Sequence, residues 1–240
     1  MTKRGKRKDW FQDWSNEYDA TLGRMRRHLK MLDLVVAVSG VKDGDRVLDI
    51  GCGTGLLSLR LLDAARCTVV GIDKSPEMLA CFRRKIRGMA LGKRVDVRRG
   101  DAASLDPGLG QFDVIASTVT LHHVKDKLPM IRAIRSHLKP GGRFVLGDVD
   151  LDTTGDPADL KRLSRILDFL REEWMAAMAD AGPDGFRRMF DNGKKHVFND
   201  GEYCVSFREW AALCRKAGFD GVTVRPVVKG SRFKVLTAIK

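Results

Sequence analysis

Several kinds of signal are scarce in this chain of 240 residues, and each scarcity narrows its function. No apolar run approaches the roughly 20 residues needed to cross a bilayer as a helix, so a membrane span is not expected. The start of the chain is charged and carries no apolar stretch, which predicts no secretory signal. Cys52, Cys67, Cys81, Cys204 and Cys214 are an odd set without a C-x-x-C pair. That spacing predicts reduced thiols in a cytoplasmic protein and no zinc centre. Aromatic residues make up only 7%, and they do not alternate with the basic residues as a base-stacking surface would require. Internal repeats and an RNP-type aromatic strand are also missing.

What is present is apolar residues, 43% of the chain, and a formal charge of +13. The first is enough for a sizeable core, and the length suits one domain. Part of the charge is a basic stretch over residues 1–8, with Lys3, Arg4, Lys6, Arg7 and Lys8. Such an arm reads either as a solvated tail or as a contact for nucleic acid. Further basic residues alternate with apolar ones at helical spacing, as on solvated helix faces.

Residues 47–55 carry the strongest signal: Val-Leu-Asp-Ile-Gly-Cys-Gly-Thr-Gly. A buried strand runs into Gly51, Gly53 and Gly55, and a helical apolar pattern begins at Leu56. A strand, glycine turn and helix bring a ligand against bare backbone at a helix N-terminus. The dinucleotide fingerprint G-x-G-x-x-G needs a third glycine where Leu56 stands, which argues against a nicotinamide cofactor. Downstream, Val69 to Asp73 reads as a second buried strand ending in an acid, placed to accept from ribose hydroxyls. Ser75-Pro76 reads as the cap and first position of the next helix. Gly100-Asp101 follows a third strand, and Leu138-Lys139-Pro140-Gly141-Gly142 joins a helix to a fifth.

In this order and spacing these segments resemble the class I S-adenosylmethionine-dependent methyltransferases, notably the branch acting on small molecules such as quinone precursors. The likeness is closest over residues 40–150. It implies S-adenosylmethionine as cofactor, with the glycine loop against its methionine part, Asp73 on the ribose and Asp101 on the adenine amino group. The full set of expected cofactor contacts is Tyr18, Asp49, Gly51, Cys52, Gly53, Gly55 and Leu56, then Lys74, Ser75 and Met78 beside Asp73. Gly100, Ala102 and Thr118 complete it around Asp101 and the fourth strand. Asp49 reads either as a local cap of the turn or as a contact for the cofactor amine.

The implied fold is α/β and Rossmann-like: a doubly wound, seven-stranded sheet, mostly parallel with the last strand antiparallel. Strands are expected at 45–50, 69–73, 95–99, 112–118, 142–150, 220–228 and 232–239. N-terminal helices over 9–40 form either core packing or a lid, with Trp10, Phe11, Trp14 and Tyr18 on one face and Tyr18-Asp19 resembling the family's lid pair. The cofactor core is 41–150, and 206–240 supplies the last helix and strands. Between them, 151–205 is expected to roof the substrate: an amphipathic helix over 157–181 stopped by Gly182-Pro183, then a loop region over 183–205.

For catalysis, His122 and His123 follow the fourth strand, where imidazole can serve as a base near neutrality. His123 reads as pocket-lining, and either as that base or as packing; adjacent residues seldom face one pocket. His196, Glu202 and Tyr203 lie in a second polar loop as candidates for substrate contact or base. Neither the Asn/Asp-Pro-Pro-aromatic motif of amino-directed nucleic-acid and glutamine enzymes nor a Pro-Cys pair stands at Ser117-Thr118-Val119-Thr120. The reading is therefore methyl transfer to a small molecule. RNA or protein as substrate, and a non-catalytic cofactor-binding subunit, are the alternatives.

Overall fold

The computed structural model describes residues 17–195 and 203–240. Seven strands form one sheet in the order β3-β2-β1-β4-β5-β7-β6. They are β1 (Arg46–Ile50), β2 (Thr68–Asp73), β3 (Val95–Arg99), β4 (Phe112–Thr118), β5 (Leu138–Val149), β6 (Asp220–Pro226) and β7 (Phe233–Ile239). Strands β1 to β5 pair in parallel, and β7 runs antiparallel between β5 and β6. The seven-stranded Rossmann-like expectation is met, with β6 outermost.

Helices cover both faces, which is why the centres of β1, β4 and β5 are apolar on both sides, as at Val47-Leu48, Val114-Ile115-Ala116 and Phe144-Val145-Leu146. Successive residues point to opposite sides. Val47, Val69, Val114 and Val145 pack under α1 (Arg26–Ser39) and α2 (Leu56–Ala64), against Met31, Val35 and Leu61. Leu48, Ile115 and Phe144 pack on the other side against α4 (Lys127–Ser136) and α6 (Phe207–Lys216), through Ile134 and Trp210. Trp210 is fully buried, and trimming such a side chain to alanine costs about 3–5 kcal/mol.

Caps set the helix starts at the site. Ser75 Oγ accepts from Met78 N at 3.2 Å and Pro76 opens α3 (Pro76–Gly88), as the sequence predicts. Gly40 ends α1 in the left-handed region at φ 63°.

Two expectations are corrected. The segment Lys139-Pro140-Gly141-Gly142 is not a turn preceding the strand; β5 starts at Leu138, and the register against β4 shifts between Phe112 and Val114 to take up the extra residues. Residues 183–195 are not a loop. Helix α5 (Leu160–Lys195) breaks at Gly182 (φ 67°, ψ −165°) and resumes through Pro183. Proline is favoured in the first turn of a helix, so the pair that reads as a stop also starts a second arm. That arm folds back on the first: Trp174 Nε1 donates to Met189 O at 3.2 Å, and the Trp174 and Phe190 rings lie 4.8 Å apart. The basic residues 1–8, the aromatic residues Trp10, Phe11 and Trp14, and His196 and Glu202 fall outside the described residues.

Candidate active site

A cavity of about 500 Å³ opens at the carboxyl ends of β1, β2 and β4 and runs beneath α5. The glycine loop forms its floor. Gly51 N and Cys52 N both donate to Ile72 O, at 2.8 and 3.0 Å, which ties the loop to β2. The three glycines serve different ends. A side chain at Gly51 would collide with Thr120 and one at Gly55 with the Phe82 ring. At Gly53 (φ 50°) it would meet no protein atom and would project into open space at the cavity wall.

Asp73 ends β2 at that wall. Its carboxylate accepts from Gly53 N at 2.9 Å and Ser75 N at 2.8 Å, and burial raises its pKa. Lys74, Ser75 and Met78 line the cavity beside it; Gly100, Asp101 and Ala102 line the neighbouring stretch. Lys74 Nζ pairs with Asp101 Oδ2 at 2.9 Å. Bare backbone over open space, flanked by two carboxylates at strand ends, suits the methionine, ribose and adenine parts of S-adenosylmethionine in turn.

Tyr18 also lines the cavity, and burial, then Asp73, raises its pKa. The adjoining Asp19 fastens this segment to the loop. It accepts from Thr54 Oγ1 at 2.6 Å and pairs with Lys85 Nζ at 2.5 Å.

Five expected contacts do not line the cavity: Asp49, Cys52, Gly55, Leu56 and Thr118. Asp49 lies behind the loop, fully buried, accepting from Ser58 Oγ at 2.5 Å. Burial pushes its pKa up to about 7 against the pull of the Ser58 bond. Cys52 is buried with its thiol pKa raised by that burial, so it is not a reactive thiolate.

At the far end of the loop, Val119 has φ 43°. A β-branched residue rarely adopts that region, and such strain gathers at functional sites. Val119 and Thr120 then carry the chain into a short turn bearing both histidines, and both residues line the cavity. His123 lies at the exposed end and His122 is buried. His122 Nδ1 lies 2.8 Å from Oδ1 of Asp148, a fully buried residue of β5. With Asp148 ionised, that bond puts the ring proton on Nδ1 and leaves Nε2 as the basic nitrogen. Asp148 is absent from the sequence reading, as are Arg27, His28, Glu173 and Asn192, which line the cavity beneath α5. Tyr203 lines it too, donating its backbone N–H to His122 O at 3.0 Å. Among the described residues no cluster suited to a metal ion occurs.

Fold and cavity together define a nucleotide-cofactor-binding protein of the doubly wound class, with its ligand site at the carboxyl ends of the strands. Comparison with known proteins names the family. Residues 47–142 match the model of a methyltransferase domain. An uncharacterized methyltransferase of Oceanobacillus iheyensis is 30% identical over 151 residues, 60% of this chain and 68% of that protein. The 27-O-demethylrifamycin SV methyltransferase of Amycolatopsis mediterranei is 32% identical over 155 residues, 64% of this chain. The match spans only 56% of that relative's length. Among solved structures, the chain bound to the Haloferax volcanii Trm112 methyltransferase activator superposes with a TM-score of 0.68. It is 18% identical and covers 96% of this chain and 97% of its own, a likeness of fold. The chain belongs to the class I S-adenosylmethionine-dependent methyltransferase family.

Proposed function

We propose that this protein transfers a methyl group from S-adenosylmethionine to a small-molecule acceptor. The observation that carries this reading is the continuity of one cavity from Gly53 and Asp73 to His122, under a roof supplied by α5. A roofed cavity with apolar walls suits a small ligand better than the open groove a macromolecule needs. In this reading Gly51 and Gly53 support the methionine part, Asp73 the ribose and Asp101 the adenine. Tyr18 closes the near side, and Asp19 keeps it there.

The bound cofactor supplies a methyl group activated on a sulfonium. The protein supplies orientation and the exclusion of water. His122 is the base: Nε2 takes the acceptor's proton, and Asp148 orients the ring and offsets the charge it gains. Asp148 exchanges no proton in this scheme. His123, at the exposed end, borders the acceptor entrance.

The test is transfer of label from methyl-labelled S-adenosylmethionine, offered in parallel to a panel of phenols, catechols and amines and to total RNA and protein. Label is expected in small extractable products, with little change as salt is raised. Label confined to RNA and lost steeply with salt would support the alternative reading instead.

A further inference from the structure

The first arm of α5 is apolar on two sides. Its inner side buries Ile166, Phe169, Leu170 and Ala177. Its outer side carries Leu160, Leu167, Met175 and Met178, which are 79, 50, 60 and 39% exposed. At about 100° per residue these four fall within an arc of about 80°, so they form one stripe along the helix. Single exposed apolar residues are ordinary, but a row of four on one helix marks a surface that another body covers.

The stripe is complementary to itself. Leu160 and Met178 lie at equal distances on either side of Phe169 along the chain, and so do Leu167 and Arg171. Asp168 and Arg171 complete the pattern with opposite charges close to its centre. Within one helix those two make only a long contact of 3.8 Å, and both side chains are more than half exposed. A two-fold contact needs this kind of order, in which residue i meets j and j meets i. The same charges count against a lipid surface. A helix that lies on a membrane carries Lys and Arg on its polar side, whereas here Asp168 and Glu172 are mixed with Lys161 and Arg165.

We propose that two copies of this chain pair through the outer side of this arm, antiparallel, about a two-fold axis level with Phe169. In that register Leu160 packs on Met178 of the second copy. Leu167 packs on the aliphatic stem of the second copy's Arg171, and Asp168 accepts from the guanidinium of that arginine.

Sedimentation velocity on the full chain, and disulfide trapping, test it. The unaltered protein is expected to sediment at twice the chain mass. Leu167→Asp, a change at a half-exposed position, should weaken association at least about tenfold with thermal unfolding unchanged. Trapping reads the register. All five native cysteines are buried. Positions 160 and 178 are about 27 Å apart along one helix, too far to be bridged within a copy. Diamide oxidation of a variant carrying both Leu160→Cys and Met178→Cys is expected to give a covalent dimer, and Leu160→Cys alone is not. A monomer at about 100 μM overturns the proposal, whether or not it binds vesicles of anionic lipid. So does a dimer that survives Leu167→Asp, or equal trapping of the single and double cysteine variants.

Discussion

The Nδ1 of His122 and the Oδ1 of Asp148 meet at 2.8 Å, although the residues are 26 positions apart and sit on different elements. The contact exists because β4 and β5 pair in parallel, which sets the turn after Thr118 beside the end of β5. If this pair prepares the base, Asp148→Asn leaves the ring in place but takes away the carboxylate that fixes its tautomer. Turnover is expected to fall by about 100-fold or more, with S-adenosylhomocysteine affinity kept. Steady-state rates beside calorimetry check this, and an unchanged rate would remove His122 from the chemistry.

The glycine loop offers a contrast between neighbouring positions. Gly53→Ala places its methyl in open space, so the fold should survive with a backbone strain of about 1–2 kcal/mol, while cofactor affinity drops at least about tenfold. Gly55→Ala drives its methyl into the Phe82 ring and should lower the unfolding temperature first. Thermal unfolding and S-adenosylhomocysteine titration of both variants separate the two effects. Equal loss of binding at equal stability would show that the cavity floor is misassigned.

Asp49 gives a pH dependence with a definite sign. Its pKa is about 7 in the fold, against about 3.9 in an unfolded chain. Between those values the folded protein holds a proton that the unfolded chain has lost. The stability contributed by this group is therefore complete at acid pH, declines as pH rises toward about 7, and is gone above it. The span is on the order of a few kcal/mol. Asp49→Asn should flatten the fall of stability across this window in chemical unfolding curves; parallel slopes would show that Asp49 ionises normally.

Asp19 tests whether the segment around Tyr18 belongs to the site. Thr54 Oγ1 and Lys85 Nζ both bind its carboxylate. Asp19→Ala releases that segment from the loop, and cofactor affinity should fall by roughly tenfold, the value of one or two such bonds. Stability should change by less than about 1 kcal/mol, because the ion pair is partly solvated. Affinity equal to the unaltered protein would reduce the segment to packing.

What could be read from the chain was local. Strand β1, the glycine loop and α2 are consecutive, and apolar runs punctuated by glycine mark them without knowledge of the fold, as Ser75-Pro76 marks the start of α3. Asp73 and Asp101 were legible for the same reason, each at the end of a strand. Asp148 was not, because one of several acids at the end of a strand, Asp148, Asp150 and Asp152, carries no signal that sets it apart; only its place beside the turn after β4 gives it a histidine. Arg27, Glu173 and Asn192 lie on amphipathic helices, where a polar residue aimed inward looks like one aimed at water. Gly182-Pro183 is ambiguous in itself, since the same pair ends one helix and begins another. The strain at Val119 has no counterpart in sequence at all.

The most direct test of the account is a calorimetric titration of S-adenosylhomocysteine into the unaltered protein and into Asp73→Ala, with folding verified for both. The account predicts one saturable site, weakened by about 100-fold or more when the carboxylate is removed, since the bonds proposed between it and the ribose hydroxyls would be charge-assisted. No binding to the unaltered protein, or the same affinity in both, would contradict it.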